Sequence, residues 1–255
     1  MDGIQSLARG LHILDLIANS GRSWSVTELA HALQVDKSSA SRLVRTLVNY
    51  GYLQTEPGTR RYTLGKRLYH IGWQVLNLMP IRQKARAYLH RLVQDTGECA
   101  HTAVFAENKA LVIDDVETET TLRVVSGTGR MIPLHCTAVG KALLAFAEVP
   151  LPQQLQAFTP RTITSKDQLE AHLSETFQRG YAFDDEEFDE GIRCIAAPVY
   201  NYMGIAIAVI GISGPKVRLQ DDKLGDLAST VMRAAHELSV ELGYVGERTC
   251  HEEIN

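Results

Sequence analysis

The sequence has little of what specialised chains need. Its 4 cysteines, at 99, 136, 194 and 250, are scattered through 255 residues. They are too few and too far apart for a disulfide scaffold, so reduced thiols in a cytoplasmic setting are expected. Gly and Pro number only 19 and 8, which excludes collagen-like and low-complexity chains. The longest apolar stretches, such as Ile205–Ile210, are soon broken by Gly. No run approaches the 18 residues of a membrane span, so no membrane partner is expected. The opening Met1-Asp2-Gly3-Ile4-Gln5 has neither the basic start nor the apolar stretch of a secretory signal. No repeat of 20–50 residues recurs.

What remains is an ordinary globular composition, 45% hydrophobic and 22% charged, long enough for one or two domains. The net charge of −4 hides an asymmetry: residues 1–86 carry +7 and residues 87–255 carry −11. A basic first third suggests a polyanionic partner for that part alone.

Hydrophobic periodicity orders the first part. Leu7, Leu11, Leu14 and Ile17 share a helical face, with Ser6 as its N-cap and Gly21 as its stop. Ser25-Val26-Thr27-Glu28 is a capping box opening a short helix. After Gln34-Val35-Asp36, a third helix turns Ala40, Leu43, Val44 and Leu47 inward and stops at Gly51. Tyr52–Thr55 and Arg61–Leu64 read as strands around a Pro57-Gly58 turn. Helix, helix, tight turn, helix and hairpin make a winged helix-turn-helix. A helix over Lys66–Met79 follows, interrupted by Pro80, then another over Ile81–Thr96.

Beyond it, strands are expected at Ala100–Ala106, Ala110–Val116, Thr121–Ser126, Ile192–Tyr200 and Gly204–Ser213. Helices are expected at Ala138–Ala147, Lys166–Arg179 and Gln220–Leu242. Hairpins interleaved with helices imply an α+β fold with an antiparallel sheet.

The third helix opens with small hydroxyls and carries arginines on one side. Thr27, Lys37, Ser38, Ser39, Ser41, Arg42 and Arg45 are candidates for the DNA groove and its phosphates. Arg60 and Arg61 at the wing are candidates for the DNA backbone or minor groove. Double-stranded operator DNA is the expected partner.

Residues 6–75 resemble the DNA-binding half of the IclR-type bacterial transcriptional regulators. The resemblance is carried by Ser6-Leu7-Ala8-Arg9-Gly10-Leu11, by the helix pair from Leu29-Ala30 to Leu47, and by Gly51-Tyr52-Leu53 with Tyr62-Thr63-Leu64-Gly65. The second half is similar to the family's signature: Gly180-Tyr181-Ala182-Phe183-Asp184, Glu187, Cys194-Ile195-Ala196 and Val199-Tyr200-Asn201, spanning 22 residues. The match runs nearly to Gly243. It implies a GAF-like effector domain that binds a small carboxylic acid and assembles as a homodimer or dimer of dimers. It also implies ligand contacts at Asp184, Cys194, Gly211 and Ser213, in the Gly127–Met131 loop (Met131 in particular), and at Ala138 and Gly140. Gly211 stands where some members have Ser, which removes a hydroxyl and leaves room for a ligand larger than glyoxylate.

The residues themselves are compatible. The N–H groups that open the Ala138 helix suit a carboxylate. Asp184 would repel one, so it must donate as a neutral acid or accept from a hydroxyl or a water. Asp185, Glu186 and Glu190 read as a solvated acidic loop. Cys99, His101, His135 and Cys136 are metal-ligand types without a structural-zinc spacing. Cys136 or Cys194 beside His135 lacks an orienting third group. A thiol- or metal-dependent enzyme with an appended nucleic-acid-binding module is therefore the alternative, and no catalytic residue, metal or cofactor is expected. Tyr69 and Trp73 read as packing residues. The stripe Leu68, Ile71, Val75 and Leu78 needs a second copy to cover it. The expectation is a winged helix-turn-helix at 1–66, a linker helix at 67–80 and a GAF-like effector domain at 81–255. Together they form a cytoplasmic, effector-controlled regulator acting as a repressor.

Overall fold

The structure, a computed structural model, describes residues 4–77, 79–125 and 127–246. Leu78 and Cys250, both singled out above, lie outside the described residues. The chain divides into two compact units, Met1–Leu78 and Met79–Asn255.

In the first unit, α1 (Gln5–Ser20), α2 (Val26–Ala32) and α3 (Lys37–Asn49) surround Ile13, Ile17, Leu29, Val44 and Leu53, all buried. The helical spacing of these apolar residues is what closes that core. The expected capping box is present: Glu28 N–H donates to Ser25 Oγ at 3.3 Å, and Ser25 N–H donates to the Glu28 carboxylate at 2.8 Å. Ser6 does not cap α1, because the helix already starts at Gln5 on Ile4. The wing is β2 (Leu53–Thr55) with β3 (Arg61–Leu64). A short strand that sequence periodicity missed, β1 (Trp24–Ser25), joins the far edge of β3, giving the order β1-β3-β2. Then α4 runs over Lys66–Asn77 with Tyr69, Trp73 and Val75 exposed.

The second unit is built on α5 (Pro80–Thr96), β4 (Cys99–Ala106), β5 (Lys109–Val116), β6 (Met131–Ile132), α6 (Ala138–Phe146), α7 (Lys166–Arg179), β7 (Ala182–Asp185), β8 (Ile192–Tyr200), β9 (Ala206–Pro215) and α8 (Leu224–Glu241). All six strands pair antiparallel in the order β6-β5-β4-β9-β8-β7. One face packs Ala103, Ala182, Ala196 and Val209 against Ala138, Val139, Ala142 and Leu143 of α6. Alternation turns Ile195, Ala197 and Val199 to the other face, where α8 packs on β8.

Two expected elements differ. Thr121–Ser126 forms no strand over its described residues, 121–125. The edge of β5 is taken by β6 and the turn before it: Gly129 N–H donates to the Val112 carbonyl at 2.7 Å, and Ala110 pairs with Ile132. The closing helix starts at Leu224, not Gln220. Arg193 draws the Leu219 carbonyl and Asp221 into side-chain bonds at 2.8 and 2.7 Å, so this stretch stays out of the helix.

Helix α6 comes so close to the preceding loop that a β-carbon on Gly140 would lie 2.4 Å from the Leu134 backbone. Gly225, in the first turn of α8, faces open space. Gly140→Ala is expected to destabilise the protein by about 1–3 kcal/mol through overpacking. Gly225→Ala should be neutral or stabilising by up to about 1 kcal/mol. Chemical denaturation midpoints check both.

Candidate functional site

Asp36 caps α3: it accepts the Ser39 N–H at 2.8 Å and both the Ser38 and Ser39 hydroxyls. Those donors hold its carboxyl well below the usual range, Ser38 first among them. Ser38 and Ser39 thus serve the cap, while Thr27, Lys37, Ser41, Arg42 and Arg45 are exposed. The two wing arginines part company. Arg60 is exposed at the turn. Arg61 binds the Ser23 carbonyl at 2.8 Å and the Glu28 carboxylate at 2.9 Å, tying the wing to the start of α2. Glu28 is held down to about 2, chiefly by the Ser25 N–H, then by the Ser25 hydroxyl and Arg22.

In the second unit, strand register assembles the other site. Asp184 pairs with Cys194, Cys194 with Ser213, and Ser213 with Cys99. One transverse row therefore crosses β7, β8, β9 and β4 at the N-terminal end of α6. Above it lies a small, partly open cavity of about 50 Å³. Its polar lining is His101, Arg130, Thr137, Asp184, Cys194 and Ser213, with Asp189 also present. Its apolar lining includes Val112, Val124, Ile132, Val139, Phe188 and Ile192. Ser213 Oγ lies 3.1 Å from Cys194 Sγ. Thr137 caps α6 through Gly140 N–H at 3.1 Å.

Of the residues expected at the effector site, Ala138, Asp184, Cys194 and Ser213 line this cavity and Met131, Gly140 and Gly211 do not. Met131 alternates with Ile132 along β6 and lines a neighbouring surface cavity instead. Gly140 serves helix packing. Gly211 does not widen the pocket: a β-carbon there would lie 2.4 Å from the Ile195 carbonyl oxygen. A serine at 211 would therefore require the backbone of β8 to move away. Sequence periodicity passed over Val112, Thr137, Phe188 and Ile192, because their places depend on loops and pairings with no local signal.

A buried polar network supports the floor. Lys141 in α6 is fully buried, ion-paired with Glu187 and 3.2 Å from His172 Nε2. Glu187 N–H in turn donates to Asp184 at 2.8 Å. Asp184 is raised to about 7, mainly by burial; Lys141 and the Glu187 N–H oppose this, and the Glu187 carboxylate adds a smaller push upward. His172 is lowered to about 4, by burial and then by Lys141. Glu190 is exposed, as expected of a solvated loop, but Asp185 and Glu186 are not solvated in that way. Asp185 pairs with Arg193 and Arg161, and Glu186 pairs with Lys216. Those cations come from distant segments, so the run alone did not show them.

The thiols are poor nucleophiles. Burial raises Cys136 to about 12 and lifts Cys194 well above its ordinary value, while His135 Nε2 bonds the Gln156 carbonyl at 2.9 Å. Among the described residues no three His, Cys, Asp or Glu side chains stand together as a metal site.

Residues 6–57 match the IclR helix-turn-helix domain, and residues 73–240 match the family described as bacterial transcriptional regulator IclR C-terminal. The chain belongs to the IclR family. The HTH-type transcriptional regulator XynR of Escherichia coli K12 is 34% identical over 247 residues, covering 94% of this chain and 98% of that protein. The transcriptional repressor IclR of the same organism is 31% identical over 248 residues, covering 94% and 90%. The crystal structure of an IclR homolog complexed with 4-hydroxybenzoate, from Microbacterium hydrocarbonoxydans, superposes with a TM-score of 0.77 at 21% identity, covering 93% and 98%. This IclR-family chain is accordingly a DNA-binding transcriptional regulator, not an enzyme.

The Lys141–Glu187 pair gives a test of the floor of the site. Lys141→Met strands a buried carboxylate and is expected to cost about 3–5 kcal/mol, whereas the double change Lys141→Met with Glu187→Leu should recover most of it. Denaturant unfolding of the three proteins reads the difference.

Proposed function

We propose that this regulator is a cytoplasmic repressor whose operator affinity is set by a small carboxylic acid held in the cavity above the Asp184–Cys194–Ser213 row. The observation that carries the reading is that row. Strand register brings three polar side chains from three strands to one enclosed place beside a helix N-terminus. The likeness to a fold that holds 4-hydroxybenzoate supports it.

A route from the cavity to the start of the second unit runs along β5. Val112 lines the cavity. The next residues hold the first turns of α5: the Ile113 carbonyl accepts from Arg82 Nε at 2.9 Å, and Asp114 accepts from Arg86 at 2.7 Å. An effector that favours one position of β5 biases α5, which opens at Pro80, and through the 67–80 linker biases the DNA-binding unit. An acid with equal affinity for both states would shift nothing. We read the exposed Tyr69, Trp73 and Val75 of α4 as covered by a second copy, in a dimer or a dimer of dimers on a palindromic operator.

In the DNA complex, Ser41, Arg42 and Arg45 face the major groove and Arg60 touches phosphate. Arg45→Ala is expected to weaken operator binding by about 1–3 kcal/mol. Arg60→Ala should lower the salt dependence by about one unit of slope. Arg61→Ala should lower the unfolding midpoint instead, because its bonds are internal. Anisotropy titrations over a salt series separate the three, and sedimentation of the same samples at micromolar concentration reads the oligomer; a folded monomer with full operator affinity would sink the dimer.

Asp184 sets a pH dependence. Below its value of about 7 the carboxyl is neutral and an anion can sit in the cavity. Above it, the carboxylate repels the anion, and affinity should fall by up to tenfold per pH unit. His101, lowered to about 4 by burial, does not titrate in that window. Calorimetric titration with 4-hydroxybenzoate between pH 6 and 8.5 should show the fall in the parent and a flat profile in Asp184→Asn. A parent profile that is flat throughout removes Asp184 from the anion's surroundings.

A further inference from the structure

The cavity's charged lining is unbalanced. Asp184 and Asp189 are acidic, and the lining residues include one cation, Arg130. Asp184 and Ser213 are buried, whereas Arg130 is exposed, so the cation stands at the rim and the neutral hydroxyl and carboxyl lie within.

Arg130 is fixed there by its backbone. Its carbonyl accepts Val112 N–H at 3.0 Å, and the preceding Gly129, at φ +89°, donates to the Val112 carbonyl. Its guanidinium lies 5.5 Å from the centre of the Phe188 ring. Phe188 meets Phe158 edge-on at 5.0 Å. Arg130 and Phe188 also line the adjoining open cavity, so together they form the partition between the enclosed site and the outside. Among the described residues the guanidinium's own contact is a ring, which leaves its planar fork of donors available to a carboxylate.

We propose that Arg130 selects the effector: it takes a carboxylate at the rim while a hydroxyl at the other end of the ligand turns inward to Asp184 and Ser213, so the ligand class is hydroxylated monocarboxylic acids with an apolar body. The inference rests on the acid-sensing reading above. The rival position for the carboxylate is the start of α6. That end offers only about half a unit of positive charge, and it borders Asp184. A full guanidinium charge at the rim holds the anion at the end of the cavity farther from Asp184, which reduces but does not remove the repulsion once Asp184 ionises. Val112, Val124, Ile132 and Ile192 then surround the body, and the inner end needs a group that both donates and accepts. A hydroxyl is such a group.

The test uses the full-length protein and two probe pairs at pH 6.5: 4-hydroxybenzoate with benzoate, and 5-hydroxypentanoate with pentanoate. The neutral 4-hydroxybenzyl alcohol is the control. Isothermal calorimetry should show at least one hydroxy acid binding tenfold or more tightly than its partner. Arg130→Gln should weaken that acid at least tenfold, leave the alcohol and the unfolding midpoint unchanged, and be partly reversed in Arg130→Lys. Equal affinity of the acid for parent and Arg130→Gln overturns the role of Arg130. Preference for benzoate and pentanoate over the hydroxy acids overturns the inward hydroxyl. If none of the four acids binds the parent, the acid-sensing reading itself falls, and this inference with it.

Discussion

The ion pair between Lys141 and Glu187 is the contact on which the second unit's site depends. A fully buried ammonium is costly unless a carboxylate meets it, and here one does. The pair ties α6 to the corner between β7 and β8. Because Glu187 N–H donates to Asp184, the same corner orients the buried carboxyl of the cavity lining. Phe188 follows in the chain and reaches the cavity wall. The nearby ammonium also helps keep His172 neutral. Two opposed effects then meet at Asp184: burial pushes its proton on, and Lys141 pulls it off. Burial wins, which leaves a carboxyl that titrates near neutrality instead of a permanent anion.

Strand β5 is the second shared element. Val112 is bound on its open edge by the turn through Gly129 and Arg130, while Ile113 and Asp114 receive the arginines of α5. Asp114 is buried, with Arg82 3.5 Å and Arg86 2.7 Å away. A shift of this strand would have to repack both a cavity wall and a charge cluster. Close-packed interiors do not deform continuously, so such a strand favours discrete positions over graded ones.

What the sequence showed and what it hid divide along one line. The Ser25–Glu28 capping box and the left-handed glycines Gly21, Gly97 and Gly180 that end α1, α5 and α7 are local events with local signals, and so is the Asp36 cap of α3, which sequence periodicity nevertheless passed over. The antiparallel α+β class follows from hairpins in sequence order. Nonlocal pairing was invisible. Arg61 looks like a wing-tip contact until Ser23 and Glu28 are brought beside it. Asp185 and Glu186 look solvated until Arg193, Arg161 and Lys216 arrive from elsewhere in the chain. Gly211 looks like a missing hydroxyl until the Ile195 carbonyl of the next strand is seen against it. The family signature named Asp184 and Cys194. Their shared row with Ser213 is a matter of register, which a one-residue slip would have destroyed.

The charge distribution sets the terms for any anion that enters. Residues 87–255 carry a net −11, so an acid approaches against the field of the unit that is to hold it. The cation nearest the floor, Lys141, is already committed to Glu187 and is not part of the cavity lining. Attraction must therefore come from groups at the surface of the cavity: the first-turn N–H groups of α6, the Ser213 hydroxyl and Arg130. Two of these are neutral dipoles that act only at contact distance, whereas a guanidinium acts over several ångströms. Under the proposed acid-sensing role, capture at the rim and discrimination at the floor fall to different residues. In that proposal, the neutral state of Asp184 is what allows a hydroxyl, and not a second charge, to complete the fit.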